Sequence, residues 1–466
     1  MPVRKRLVLT LGASALLTGC AAGPDYRPTT AIDLGVPDQY TRGGGEPLSA
    51  ETLAIWWRQF NDPALDTLIQ RALTANLDLE QSAARLRIAR ESLVQAKAGF
   101  LPSVDASASG GRNFRSNQAD SSSFSLGGDA SWEIDLFGRI SRSVEAARAD
   151  AEGAEFDLAA IRMAIVSEVA TNYIQLRLNQ EQLRIARDTL ENDSENFDIA
   201  RWRVQAGLVS SLDEEQARAQ RARTAASIPS IETSYAGALN RLAVLTGQAP
   251  GAATQALEAA APIPAAPTDI ATGIPADSLR QRPDVRGAER TLAAATARIG
   301  VAQAALYPSL RISGNIGTSA LSLGGLTDVI TAGLFGGISQ MIFDGGRTRS
   351  QIRAQQASAD GAFAAYRQTV LSALEDVENG LVRLDASRTR VTELQIALDA
   401  ANNAAILARS QYRAGLSDFQ TLLQTEQSLL SARDSVASTR ADEALAVVQL
   451  YRALGGGWQT MDGRTQ

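Results

Sequence analysis

Only Cys20 offers a thiol in this 466-residue chain, and no residue offers an imidazole. Histidine is the commonest biological metal ligand and general base. Its absence excludes a Ser-His-Asp triad, a Cys-His nucleophile and a zinc centre of the usual Cys/His type. A single cysteine forms no intrachain disulfide. The carboxylates remain, 51 Asp and Glu in all, so a hydrolase working through paired carboxylates stays open on composition alone. Against them stand 45 Lys and Arg, a net charge of −6, which argues against a nucleic-acid partner. The chemistry left for Cys20 is attachment rather than turnover.

The residues before the cysteine say what kind of attachment. Arg4-Lys5-Arg6 is basic, and Leu7 to Leu17 is a short apolar run ending in small residues. That is the layout of an export signal, and the run falls short of the roughly 20 residues a membrane-spanning helix needs. Leu17-Thr18-Gly19-Cys20 resembles the bacterial lipobox, in which the leader is cut before the cysteine and the thiol is acylated. An ordinary signal peptide containing a cysteine is the plainer alternative. Ala22, and not Asp, stands second after Cys20, which in lipoproteins generally favours delivery to the outer membrane.

The elements that follow are written twice. Gly138-Arg139 sits 208 residues before Gly346-Arg347, and Ala206-Gly207-Leu208 sits the same distance before Ala414-Gly415-Leu416. "GFLPSVDASASG" pairs with "ALYPSLRISGNIG" at nearly that offset. A steady register of this kind marks a duplicated architecture. The reading is a leader over 1–19, an extended lipid-anchored segment over 20–63, a first repeat over 64–249 and a second over 284–456. Residues 250–283, rich in Ala and Pro, form the connector, and 457–466 a tail. Each repeat carries a helical stretch (64–99; 284–306), two strands (103–114 and 123–137; 309–318 and 332–344) and two long helices. These helices are expected over 140–205 and 209–247, and again over 347–413 and 417–454.

Heptad spacing supports the long helices. Leu176, Leu183, Leu190, Phe197 and Val204 recur every seven residues, as do Leu374, Leu381 and, in a second frame, Val391 and Leu398. Such a stripe packs helices along their lengths as coiled coils. No proline interrupts 140–205, so at about 1.5 Å per residue this helix could reach roughly 100 Å.

The strands alternate in the other period. Phe124, Leu126, Trp132 and Ile134 take even positions, while Ser125, Asp129, Glu133 and Asp135 take odd ones. Leu334, Ile338 and Ile342 share one face in the second repeat, with less contrast. An ordinary half-buried sheet gives the same alternation, but strands of about ten residues with a greasy and a wet face are also how outer-membrane barrels are written. Four strands close no barrel, since known ones begin at about eight, and an open edge in hydrocarbon would leave backbone groups unpaired. Several chains must contribute, and the long helices would then be staves of a second, helical barrel.

With "GCAAGPDYRP" (19–28), "WWRQFNDPALDTLIQRALTANLDL" (56–79), "DLFGR" (135–139), "RPDV" (282–285), "LYPSL" (306–310) and "YRALGGGW" (451–458) in this order, the chain resembles the TolC-like outer-membrane factors of Gram-negative efflux systems, in their lipoprotein (NodT-type) branch. The resemblance implies a mainly α fold with a membrane β-barrel. It implies a homotrimer with a twelve-stranded barrel continued by an α-helical tunnel, and an equatorial belt in which the 250–283 connector and both chain ends lie. It implies passive export of small molecules or drugs, through a periplasmic adaptor, from an inner-membrane pump. No enzymatic role, metal or cofactor is expected beyond the covalent lipid on Cys20, and outer-membrane lipid is an expected partner.

The resemblance also assigns roles. Gly207 and Gly415 become the turning residues of helical hairpin tips that dock the adaptor, flanked by Arg203, Leu208, Arg413 and Leu416; a glycine ending a helix is otherwise simply a cap. Relatives often guard the closed tunnel with aspartates six and nine residues after the second tip glycine, where this chain has Thr421 and Gln424. Asp418 and Glu426 lie nearby, and a gate of neutral hydrogen bonds with apolar Leu422 and Leu423 is the expectation here. Asp129, Glu133 and Asp135 are expected to face the pore, and Trp56 and Trp57 to anchor packing. The main competing reading is a periplasmic lipoprotein adaptor (membrane fusion protein), which carries one helical hairpin and no duplication of the whole chain. A lipid-anchored carboxylate enzyme is the other.

Overall fold

The computed structural model describes residues 21–31, 33–41, 49–114, 116, 121–252, 257–268, 270 and 279–458. The expected leader, Cys20, parts of the connector and most of the tail lie outside these described residues. In chain order the helices are α1 (Ala50–Ala54), α2 (Pro63–Ala75), α3 (Leu77–Ala98), α4 (Arg139–Gln205) and α5 (Ser211–Leu245). Then come α6 (Pro283–Ala304), α7 (Arg347–Arg413) and α8 (Phe419–Ala453). The strands are β1 (Ser103–Asn113) and β2 (Ser121–Ile134) after α3, and β3 (Ser309–Ala320) and β4 (Thr331–Ser339) after α6. No helix among the described residues is long and apolar enough to cross a membrane.

The duplication is kept to the residue in the helices. α4 and α7 each run 67 residues, α5 and α8 each 35, and both pairs start 208 positions apart. The ends match as well. Gly207 and Gly415 hold φ of 69° and 74°, and the next amides, of Leu208 and Leu416, donate back to Arg203 O and Gln411 O at 2.9 Å. This left-handed closure satisfies the last carbonyls of a helix, and glycine adopts it without a side-chain clash.

The first helical stretch departs from expectation. It is not one helix over 64–99 but two, broken at Asn76. The Asn76 backbone is extended, and its side-chain oxygen accepts from the amides of Asp78 and Leu79 at 2.9 and 3.2 Å. An Asn that caps a helix start competes with continuing the previous helix. β4 is also shorter than the expected 332–344, ending at Ser339 opposite Ser309. Beyond Ser309 the neighbouring strand offers Pro308, which has no amide to donate.

The chain divides into two compact units. The first comprises the N-terminal stretch through Thr30, Ala84–Phe156 and Arg286–Thr369, and holds one antiparallel sheet in the order β1-β2-β3-β4. The second comprises Ala31–Ala83, Asp157–Val285 and Val370–Gln466. Its core gathers Trp56, Trp57, Phe60, Leu65 and Ile69 against Tyr173, Ile174 and Leu176 of α4, Leu242 of α5, and Val447 and Tyr451 of α8. Trp56 stacks on Tyr451 at 5.3 Å, and Trp57 donates to Asp66 at 2.8 Å. The tryptophan pair is therefore packing, as expected. Within the same unit the connector is tied down by two arginines. Arg177 donates to Ala259 O at 2.9 Å, and Arg388 to the carbonyls of Pro267 and Thr268 at 2.8 and 2.7 Å.

Candidate functional site

The sheet separates its two faces by chemistry. The register places Ala130 against Val104 and Gly314, and Gly314 against Leu334. One step of two residues along, Trp132 meets Ile312 and then Gly336; at the next, Ile134 meets Leu310 and then Ile338. The positions of this face across the four strands are apolar except for Thr318 and the Arg112–Ser122 pair at the far end of β1 and β2. The odd-numbered positions form the other face. Asp105, Asp129, Asn315 and Gly333 share one rung, and Ser103, Ser131, Ser313 and Phe335 the next. Seryl pairs such as Ser109 and Ser125, 2.8 Å apart, bridge the strands there. Phe335 is the only large apolar side chain on this wet face.

Leu334 on the apolar face is 81 % exposed. Apolar surface left in water costs about 25 cal/mol per Å², so a continuous face of this kind is built for an apolar surrounding. Antiparallel strands of 9–14 residues with this division are those of a membrane barrel.

The three acidic residues expected on the wet face part company. Asp129 lies on it, directly opposite Asp105, a partner the sequence reading did not single out although it occupies the same face of β1. Glu133 is held by Arg139 through two hydrogen bonds of 2.8 and 2.9 Å, and Arg311 stands opposite it in β3. Asp135 is not a strand residue, because β2 ends at Ile134. Its carboxylate accepts from the amides of Ile140 and Ser141 at 3.0 and 2.7 Å and so caps α4. Free amides at a helix start attract a carboxylate more strongly than water does.

The hairpins α4–α5 and α7–α8 end in two loops that bring the predicted tip residues together. Arg203 donates to Arg413 O at 3.1 Å, and its guanidinium lies 4.5 Å above the Tyr412 ring. Arg413 approaches Glu195 at 3.7 Å. Arg203 thus joins one hairpin to the other. Leu208 and Leu416 are 73 % and 80 % exposed, in equivalent positions of the two repeats. Trp202 and Leu212 add exposed apolar surface to the first tip; an isolated tryptophan in a polar helix end is the signal that could have found them.

The expected gate residues divide as well. Ser210 and Asp418 start α5 and α8 as equivalent caps, Asp418 accepting from the Thr421 amide at 2.7 Å. Hydrogen bonds from Thr421 hold the Asp418 carboxyl below its ordinary range. Thr421 and Gln424 are exposed. Leu422 is not available to line a passage. It is 1 % exposed, packed with Ala200, Ala217, Ala408, Tyr412 and Phe419 between the two hairpins. Leu423 is partly buried beside it. Glu426 binds Arg409 through both carboxylate oxygens, one of them 2.7 Å from Nη2.

Behind this seam lies a buried polar group that the sequence did not point out. Asp193 of α4 accepts from the Thr224 hydroxyl at 2.6 Å, and Gln427 donates to Gln220 at 3.0 Å. Burial pushes the Asp193 carboxyl above its ordinary range, and nearby Glu426 adds to the effect.

Comparison with known proteins gives the same picture. The family model described as "Outer membrane efflux protein" matches residues 68–248 and again 274–456. The chain is 32 % identical over 454 residues to Nodulation protein T of Rhizobium leguminosarum bv. trifolii, covering 96 % of each. It is 32 % identical over 464 residues to the pyoverdine export outer membrane protein OpmQ of Pseudomonas aeruginosa, covering 97 % of each. Among solved structures, the outer-membrane channel OprN superposes with a TM-score of 0.85 at 36 % identity, over 94 % of this chain and 100 % of that one. The open state of the MtrE outer membrane channel of Neisseria gonorrhoeae gives 0.84 at 28 % identity, over 94 % and 98 %. The chain belongs to the outer membrane efflux protein family.

Proposed function

We propose that this protein is the outer-membrane channel of a tripartite export system, conducting small molecules or drugs passively from a periplasmic adaptor and inner-membrane pump to the outside. The observation that carries the reading is the sheet, with one face apolar across all four strands apart from Arg112, Ser122 and Thr318, and the other polar. β1 and β4 are its edges. In hydrocarbon those edges must be paired, and three copies joined edge to edge give a closed barrel of twelve strands, within the range of known barrels. The polar face then lines a water-filled lumen, where Asp105 and Asp129 recur in each copy and bias passage toward cations. Transport of this kind needs no catalytic residue.

The hairpin tips are the adaptor-docking surface in this reading. Leu208 and Leu416, with Trp202, present the apolar contact, and Gly207 and Gly415 set the turns. Arg203 and Arg413 act from behind by tying the hairpins together. The periplasmic gate is closed by these inter-hairpin contacts rather than by an aspartate ring, with Thr421 and Gln424 exposed and Glu426 held by Arg409. Cys20 carries the acyl anchor, which needs more than one chain to hold stably.

Unheated electrophoresis and planar-bilayer recording of the purified chain test this reading. A trimer resistant to mild detergent with discrete conductance steps is expected. A monomer without conductance would overturn it.

A further inference from the structure

Residues 21–26 are seated against the foot of the sheet by one buried cation. The Ala22 amide donates to Phe137 O at 3.0 Å, three residues past the end of β2. Arg142 on the first turn of α4 is 5 % exposed. It donates through Nε to Ala22 O at 3.1 Å, and through Nη2 to Gly23 O at 3.4 Å and Asp25 Oδ1 at 2.6 Å. Its remaining fork is filled by Glu145 at 2.7 Å. Tyr26 then donates to Glu289 at 2.9 Å, with Arg290 over its ring at 5.6 Å.

Two glycines make room for this strap. A Cβ on Gly138, whose φ is 78°, would stand 2.9 Å from Ala21 Cα, and one on Gly300 would stand 2.7 Å from Ala22 O. The second repeat has the same junction without the seat. Gly346, the counterpart of Gly138, has φ 89° and open space where a Cβ would go, and Ser350 stands where the first repeat has Arg142. Only the junction beside the chain's beginning has acquired the arginine, so the duplicated fold does not itself require it.

The seat lies at a defined level of the sheet. Trp132, on the apolar face near the end of β2, donates its indole N–H to Phe100 O at 2.9 Å, an amphipathic ring of the sort that sits at a membrane–water boundary. Cys20 is two residues from Ala22, so covalent geometry keeps it within about 7–8 Å.

We propose that Arg142 is a positioning residue for the lipid anchor: it clamps residues 21–26 at the foot of the sheet, so that acyl chains on Cys20 enter the bilayer where the lipid-facing strands begin. This rests on the lipoprotein reading of Cys20 given above. A desolvated guanidinium with three acceptors on the strap is a strong and directional hold. The anchor is then part of the barrel's footing and not a free tether.

The test is a nitroxide on Arg27→Cys in the full chain, purified and returned to phospholipid vesicles. The spin count is read first. One spin per chain is expected, because an acylated Cys20 takes no label; two spins would show a free Cys20 and end the lipid part of the proposal. With one spin, the label should be immobilised at a single depth, read from its accessibility to oxygen against a water-soluble nickel chelate. Arg142→Gln should lower the seated-to-free ratio about tenfold or more, the scale of lost charge-assisted hydrogen bonds, and spread the depth while the trimer persists. An unchanged spectrum and depth in Arg142→Gln would overturn the clamp while leaving the anchor intact. If Arg142→Gln fails to assemble, Asp25→Asn decides, since its side chain is largely exposed: an intermediate shift supports the clamp, and no shift overturns it.

Discussion

Arg203 and Tyr412 join the two hairpins at their tips. The guanidinium lies 4.5 Å from the ring centroid while the same side chain donates to the carbonyl of Arg413. Residues 209 positions apart in sequence thus form the outermost link of a seam that continues through Phe419 and Leu422. Removing Arg203 takes away a cation–π contact of about 0.5–2 kcal/mol and one hydrogen bond. Arg203→Ala trimers in planar bilayers should therefore show a higher open fraction than the parent at the same voltage. An unchanged open fraction would mean that the link does not hold the passage shut.

The sheet's division into two faces makes a directional prediction. Leu334→Arg places a charge on the apolar face and should cost about 2–4 kcal/mol of membrane stability if it sits near mid-depth. Ser313→Arg, on the opposite face of the adjoining strand, should cost far less. Urea titration of folding into vesicles measures both. Equal losses would contradict the assignment of faces.

Arg282 of the "RPDV" motif joins three partners in the second unit. It is buried, pairs with Asp284 at 2.7 Å and Asp376 at 3.1 Å, and donates to Ala453 O at the end of α8. Arg282→Ala leaves a helix end and two partly exposed carboxylates without their partner, a loss on the scale of hydrogen bonds to a charged group, about 1.5–3 kcal/mol. Thermal unfolding should fall by several degrees. Arg282→Met, which restores volume but not charge, should recover only part of the loss.

Asp193 predicts a pH dependence of the seam. Burial raises its folded pKa above the unfolded value, so the folded state binds the proton more tightly and stability falls as pH rises through the folded pKa. Asp193→Asn keeps an acceptor for the Thr224 hydroxyl and removes the buried charge. It should raise the melting temperature at pH 7–8, with the gain shrinking as the pH is lowered toward the ordinary carboxylate range. A gain that is constant with pH would assign the effect to packing instead.

How much of this was legible in the sequence follows from what each feature depends on. The 208-residue duplication, the heptads of α4 and α7 and the alternation in β2 are periodicities within single segments. Local geometry of 3.6 or 2 residues per repeat converts them directly into helices and strands. The glycine turns at 207 and 415 were equally visible, because a left-handed closure needs the residue without a side chain. The break at Asn76 was not, since its side chain chooses between solvent and the helix end at Leu245, to whose carbonyl it donates at 3.0 Å. That choice exists only once the two segments meet.

The same reason separates the site residues. Sequence order put Asp129, Glu133 and Asp135 in one alternating row, but the register paired Asp129 with Asp105, Arg139 neutralised Glu133, and the start of α4 took Asp135. The residue type marked Leu422 as apolar without saying which helix it would meet, and packing between hairpins buried it. Nothing in the spelling of Arg142 linked it to Ala22, Gly23 and Asp25. The sequence by itself determined which elements form and that they form twice, because backbone periodicity is local. Which side chains are spent on capping, on pairing and on seating the N-terminal strap was decided only by tertiary structure, because those roles depend on distances between segments that the chain brings together on folding.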